Sequence, residues 1–159
     1  MEILYRHRQV AWTMMGFFLI VTAAIVAATA FLLAQPDQTG TRITMMALGG
    51  SLVLLAVILG CFYGLTVTIM PEKLTLSFGP GIIRKSIKLS TIASAKPVTN
   101  KWWYGFGIHI TPHGWLYNVS GLKAVEIHTW SGASLRIGTD EPEALCLAIE
   151  QARASNPSA

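Results

Sequence analysis

Charge is what this sequence has least of. Only 13% of its 159 residues are Asp, Glu, Lys or Arg, about half of the roughly 25% usual in soluble domains. With 52% apolar residues and a mean hydropathy of +0.50, the shortage excludes a disordered chain and argues against a purely water-soluble domain. Cysteine is scarce too. Cys61 lies in an apolar run and Cys146 in an expected helix, with no CxxC pair. Neither a disulfide framework nor a zinc site is encoded, and both residues read as small apolar side chains. No G-x-S-x-G, P-loop or dinucleotide fingerprint is present. The net charge of +4 suits an anionic membrane surface or a nucleic acid, so its sign alone decides nothing.

Two long uncharged runs dominate the first part of the chain, Val10 to Ala34 and Met45 to Leu65. About 20 apolar residues cross a hydrocarbon core of ~30 Å, and a single segment can do so only as a helix. Pro36 and Gly40 interrupt the polar stretch 35–44 between them, so the runs read as an antiparallel transmembrane hairpin. A cleavable signal peptide is the competing reading, but its apolar region spans only about 7–15 residues. Arg6 and Arg8 precede the first run, Lys73, Arg84 and Lys85 follow the second, and the connection holds only Arg42. That asymmetry puts both termini in the cytoplasm. Neither run contains an Asp, Glu, Lys, Arg or His, which disfavours a carrier or a pump. Ala56, Gly60 and Gly64 recur every four residues, as do Ala24 and Ala28. This is a candidate helix-packing face, used within the hairpin or for homo-oligomerisation.

From Thr66 the texture changes to short alternating runs between Gly, Pro, Ser and Asn. Seven read as antiparallel strands of a sandwich or barrel: Leu74–Phe78, Ile83–Leu89, Ile92–Val98, Gly105–Thr111, Trp115–Val119, Ala124–Trp130 and Ser134–Ile137. Thr139-Asp140-Glu141-Pro142-Glu143 then opens a helix, with Asp140 and Glu143 as a possible capping box or Thr139 as the cap. Leu145, Ala148, Ile149 and Ala152 form its apolar stripe.

The Ile87 to Ile92 run, Trp103-Tyr104-Gly105-Phe106-Gly107-Ile108, the stretch Gly114 to Gly121 and the stretch Arg136 to Leu145 resemble the bacterial pleckstrin-homology-like domain proteins. Members of that family often follow one or two membrane spans. The resemblance implies a bent barrel capped by a C-terminal helix, and no single shared activity. The expected fold class is therefore a membrane α-helical hairpin plus a mainly-β pleckstrin-homology-like barrel of about seven antiparallel strands with one C-terminal helix. Expected boundaries are 1–65 for the N-terminal segment and hairpin, 66–154 for a cytoplasmic domain, and 155–159 for a tail.

Function is expected in binding rather than catalysis. Arg84, Lys85 and Lys88 form a basic cluster after the Gly79-Pro80-Gly81 turn, and Lys101, Trp102 and Trp103 a basic aromatic one. Both suit an anionic lipid surface or a protein partner, although a Trp here could equally fill the core. The expected role is a scaffold or binding module at the inner-membrane face, with the lipid bilayer and a protein partner or second copy as its contacts. The alternative is a structural subunit of a larger membrane complex. Nucleic acid is not expected, because no matching motif accompanies the modest charge. No cofactor or metal is expected either. An enzymatic reading requires His109, His113 or His128 to meet a carboxylate.

Overall fold

The computed structural model describes residues 2–34 and 41–155. Its elements in chain order are strand β1 (Tyr5–Val10), helices α1 (Trp12–Leu33) and α2 (Thr41–Phe62), and strands β2 (Gly64–Ile69), β3 (Lys73–Phe78), β4 (Ile83–Lys88), β5 (Ile92–Thr99), β6 (Gly107–Thr111), β7 (Gly114–Asn118), β8 (Lys123–Thr129) and β9 (Ser134–Gly138). Helix α3 (Pro142–Ala154) follows. The expected connection over residues 35–40 and the tail from Asn156 lie outside the described residues.

Strands pair in the orders β1-β2-β3-β4 and β5-β8-β9-β7-β6. All seven expected strands are present. Two more, β1 and β2, flank the helices, and the nine strands form two sheets rather than a closed barrel. The all-antiparallel expectation fails at one place, since β7 and β9 run parallel through Trp115 to Tyr117. Period-two alternation fills one core. Leu65, Val67, Ile69, Leu74, Leu76 and Phe78 from the first sheet meet Tyr117, Val125, Ile127 and Ile137 from the second, and Leu145, Cys146, Ile149 and Ala152 of α3 close it. Each fully buried Leu, Ile or Phe contributes about 1.5–3 kcal/mol relative to exposure.

Both helices are long and apolar enough to cross a membrane, and almost none of their length is covered by the rest of the protein. Phe17, Leu19, Ile20, Phe31 and Met46 are all largely exposed, whereas a helix of a soluble core would bury such residues. The boundaries differ from the apolar runs. Val10 belongs to β1 opposite Gly64, and Ala11 donates its N–H to the Tyr63 carbonyl at 3.0 Å. Helix α2 starts at Thr41, so Arg42 lies in its first turn, and it stops at Phe62. Gly64 is therefore not on a helix face. It opens β2, where a side chain would press on the Gln9 carbonyl 3.1 Å away.

At α3 the expected helix start is correct, but no side chain caps it. Thr139 Oγ1 accepts the Glu141 N–H at 3.2 Å. Asp140 makes no capping box. It turns instead to β1, where its carboxylate lies 2.6 Å from His7 Nε2. Burial, with Glu141 and Asp140 nearby, pushes the Tyr5 hydroxyl up to about 12. Burial also raises the Cys146 thiol to about 11, helped by Glu150 and Glu143, and neither cysteine forms a disulfide.

Candidate functional site

The end of the sheets that adjoins the helices is built by three turns. Between β3 and β4, Gly79 has a φ of +51°, and a Cβ there would fall 2.5 Å from the Gly60 carbonyl oxygen and 2.6 Å from that of Cys61. Only glycine gives both the left-handed backbone and this approach. Its N–H donates to the Gly64 carbonyl at 2.8 Å, and Phe78 beside it meets Phe62 edge-on at 5.6 Å. The β3–β4 turn thus lies level with the last turn of α2. After β7, Ser120 Oγ hydrogen-bonds Thr13 Oγ1 at 2.9 Å, and Gln9 Nε2 donates to the Ser120 carbonyl at 2.9 Å. These bonds fix the β7–β8 turn to the start of α1. The β5–β6 loop leaves the same end, with Asn100 N–H donating to the Leu122 carbonyl at 2.7 Å.

The expected basic cluster spreads along β4. Arg84 and Lys85 stand at the helix end, with Arg84 Nε donating to the Gly81 carbonyl at 2.7 Å. Next to them Ile82 is 74% exposed. Lys88 stands opposite Lys73 at the far end, about 10 Å from Lys85 at ~3.3 Å per residue. Strand β4 is the sheet edge, and Lys85 sits opposite the fully buried Leu76 on the inward face. An inward-facing charge in an edge strand blocks strand addition. Trp102 and Trp103 are surface residues, 75% and 60% exposed, so neither fills the core. Their rings meet edge-on at 5.8 Å, and Lys101 Nζ lies 5.0 Å from the Trp103 ring centroid. The aromatics that do fill the core are Phe78 and Tyr117.

A further group, of which the sequence expectations named only the histidines, occupies the outer face of the second sheet. Register pairs Lys96 with Glu126, Glu126 with Arg136, Arg136 with Leu116, and Leu116 with His109, which makes one row across five strands. Glu126 is buried. Its Oε2 accepts Arg136 Nε at 2.7 Å and Arg136 Nη2 at 2.6 Å. Its Oε1 accepts Lys96 Nζ at 3.1 Å and is 2.9 Å from His128 Nε2. Burial alone would raise this carboxyl. The hydrogen bonds from Arg136, Lys96 and His128 outweigh burial and bring it down to about 2. Two histidines therefore meet a carboxylate, His113 through Nδ1 at 4.0 Å. With its carboxyl brought down to about 2, Glu126 carries no proton near neutrality and is not a general acid there. Among the described residues, no three His, Cys, Asp or Glu side chains are placed to hold a metal ion. The signal for this group was the Glu126-x-His128 spacing, which puts both on one strand face.

No protein-family model matches this chain, and no curated protein or solved structure shows significant similarity to it.

Proposed function

We propose that this chain is a membrane-anchored binding module of the bacterial pleckstrin-homology-like type, held against the cytoplasmic face of the inner membrane to engage anionic lipid headgroups. The approach of Gly79 to the Gly60 and Cys61 carbonyls carries the reading. With α2 in the bilayer, a turn level with its last residues lies among the headgroups, with Ile82 as an apolar tip and Arg84 and Lys85 as cations. Each cation near an anionic leaflet gains about 1 kcal/mol. Trp102 and Trp103, exposed on a loop from the same end, suit the interface. Pairing of β1 with β2 supports a topology with the segments before α1 and after α2 on one side of the membrane, and cleavage after α1 would remove β1 from its sheet. Lys88 drops out of the proposed surface because it stands at the far end.

The test uses the full chain in nanodiscs. Amide exchange over residues 79–85 is expected to slow when neutral lipid is replaced by an anionic mixture, and the double variant Arg84→Gln/Lys85→Gln is expected to remove the difference. Equal exchange in both lipids would refute lipid engagement.

A second reading, a subunit held in a larger complex through α2, is favoured by Gly60, where an added Cβ meets no atom within 4 Å. At Gly60 the face is open, while Ala56 shares a groove with Gly16 and Leu19 of α1.

A further inference from the structure

We propose that the outer face of the second sheet holds a binding site for a soluble phosphate-class oxyanion, with Lys96, His113 and His128 at its rim and Arg136 and Asn100 beneath.

Hydrogen-bond accounting supports it. The carboxylate and amide oxygens of the cluster are used up: Glu126 Oε1 takes Lys96 and His128, Oε2 takes Arg136 twice, and Asn100 Oδ1 takes Arg136 Nη1 at 3.1 Å. The donors are not. Asn100 is only 3% exposed, yet its Nδ2 is buried with no partner among the described residues. The amide cannot be turned round to cure this, because a guanidinium offers only donors and Oδ1 must face it. His113 Nδ1, 4.0 Å from Glu126 Oε2, is too far to hydrogen-bond it. A buried unpaired donor such as Asn100 Nδ2 costs free energy until an acceptor arrives.

Charge and access agree. Lys96, His113 and His128 keep 58%, 44% and 41% of their side chains exposed, so the rim is open to solvent. The groups facing it are Lys96 from β5, Glu126 and His128 from β8, Arg136 from β9 and His113 from the β6–β7 turn, with the Tyr104 ring 6.1 Å from that of His113. Glu126 is the single carboxylate among them. The Lys96–Glu126–Arg136 core is net cationic. Donors converging from several strands suit a phosphate, whose oxygens accept in several directions, better than a planar carboxylate. Glu126 also sits three residues inside β8 from Lys123, roughly 10 Å from the helix-proximal end at ~3.3 Å per residue. That spacing favours a ligand from solution over a headgroup of the same bilayer.

Isothermal titration of the full chain in neutral nanodiscs with inorganic phosphate, against chloride at equal ionic strength, tests the site. Saturable binding is expected. His113→Gln removes a side chain that does not hydrogen-bond Glu126. It is expected to keep the wild-type melting temperature in phosphate-free buffer while weakening binding. Free phosphoserine should compete. Three results would each overturn the proposal: no heat above chloride, meaning the cluster holds only water; wild-type binding by His113→Gln; or a response to phosphatidic acid in the disc but none to free phosphate.

Discussion

Val10 and Gly64 face each other in the β1–β2 ladder with the whole helical hairpin inserted between them. The next pair out, Ala11 and Tyr63, is still joined by a hydrogen bond of 3.0 Å. The hairpin therefore occupies the place of a β-turn. Joining Ala11 to Tyr63 through Asn-Gly, which favours the type I′ turn that suits a twisted strand pair, should give a domain that stays monodisperse without detergent. It should also melt in one cooperative transition by circular dichroism. Aggregation of that product would mean the helices are needed for the sheet to fold.

The contact that seats the domain on α2 predicts a specific weakness. Gly79→Val places a β-branched side chain at a φ of +51° and against the Gly60 and Cys61 carbonyls. The expected loss is about 2–4 kcal/mol, from left-handed strain together with displacement of the turn. Gly132 also has a positive φ, but a Cβ there meets nothing within 4 Å, so Gly132→Val should lose only the strain component. Denaturant melts of the two variants separate steric contact from backbone strain.

Seven strands and α3 were legible because hydrophobic alternation and helix-start chemistry were written in adjacent residues. β1 was not, for a physical reason. Its inward positions are Tyr5, His7 and Gln9, covered by the start of α3 and by Ser120, so the alternation was carried by polar groups that hydropathy does not register. β2 shows a clean pattern, with Leu65, Val67 and Ile69 buried between threonines. Its first residues were absorbed into the apolar run ending at Leu65, which also put Gly64 on the wrong element. The basic and aromatic surface residues were readable individually. Which of them shared an end of the molecule was not, because that depends on Gly79 meeting α2. The Glu126 cluster needs Lys96 and Arg136 from two other strands, and the register between β5 and β8 is not a local property.

Acid should act through Glu126. Its carboxyl, brought down to about 2 by Arg136, Lys96 and His128, binds a proton more readily in the unfolded chain than in the folded one. Its stabilisation is thus fully present above about pH 4.5 and is lost as pH falls towards about 2, a contribution on the order of 3 kcal/mol. Glu126→Gln should be less stable than wild type near neutrality, since Arg136 is left buried beside a neutral amide. Across that acid window its stability should fall less steeply. Urea melts at several pH values measure the difference between the two proteins, and parallel profiles would show that the depression of this carboxyl is absent.

The open face of α2 separates the lipid-binding reading from the complex-subunit one. Ala56 lines an apolar groove of about 600 Å³ with Gly16, Leu19, Leu52 and Leu59, and Gly60 has free space around its Cα. Within the chain, then, a Cβ at position 60 meets no protein atom within 4 Å, and a leucine there is expected to leave the hairpin intact. Between chains, small residues let backbones approach, and a leucine would separate them. Gly60→Leu should therefore leave the melting temperature of the full chain unchanged in detergent. If α2 docks against another helix in the bilayer, the same substitution should abolish energy transfer between labelled copies, or cross-linking to a neighbour, in native membranes. Unchanged association would remove the subunit reading and leave this face to lipid.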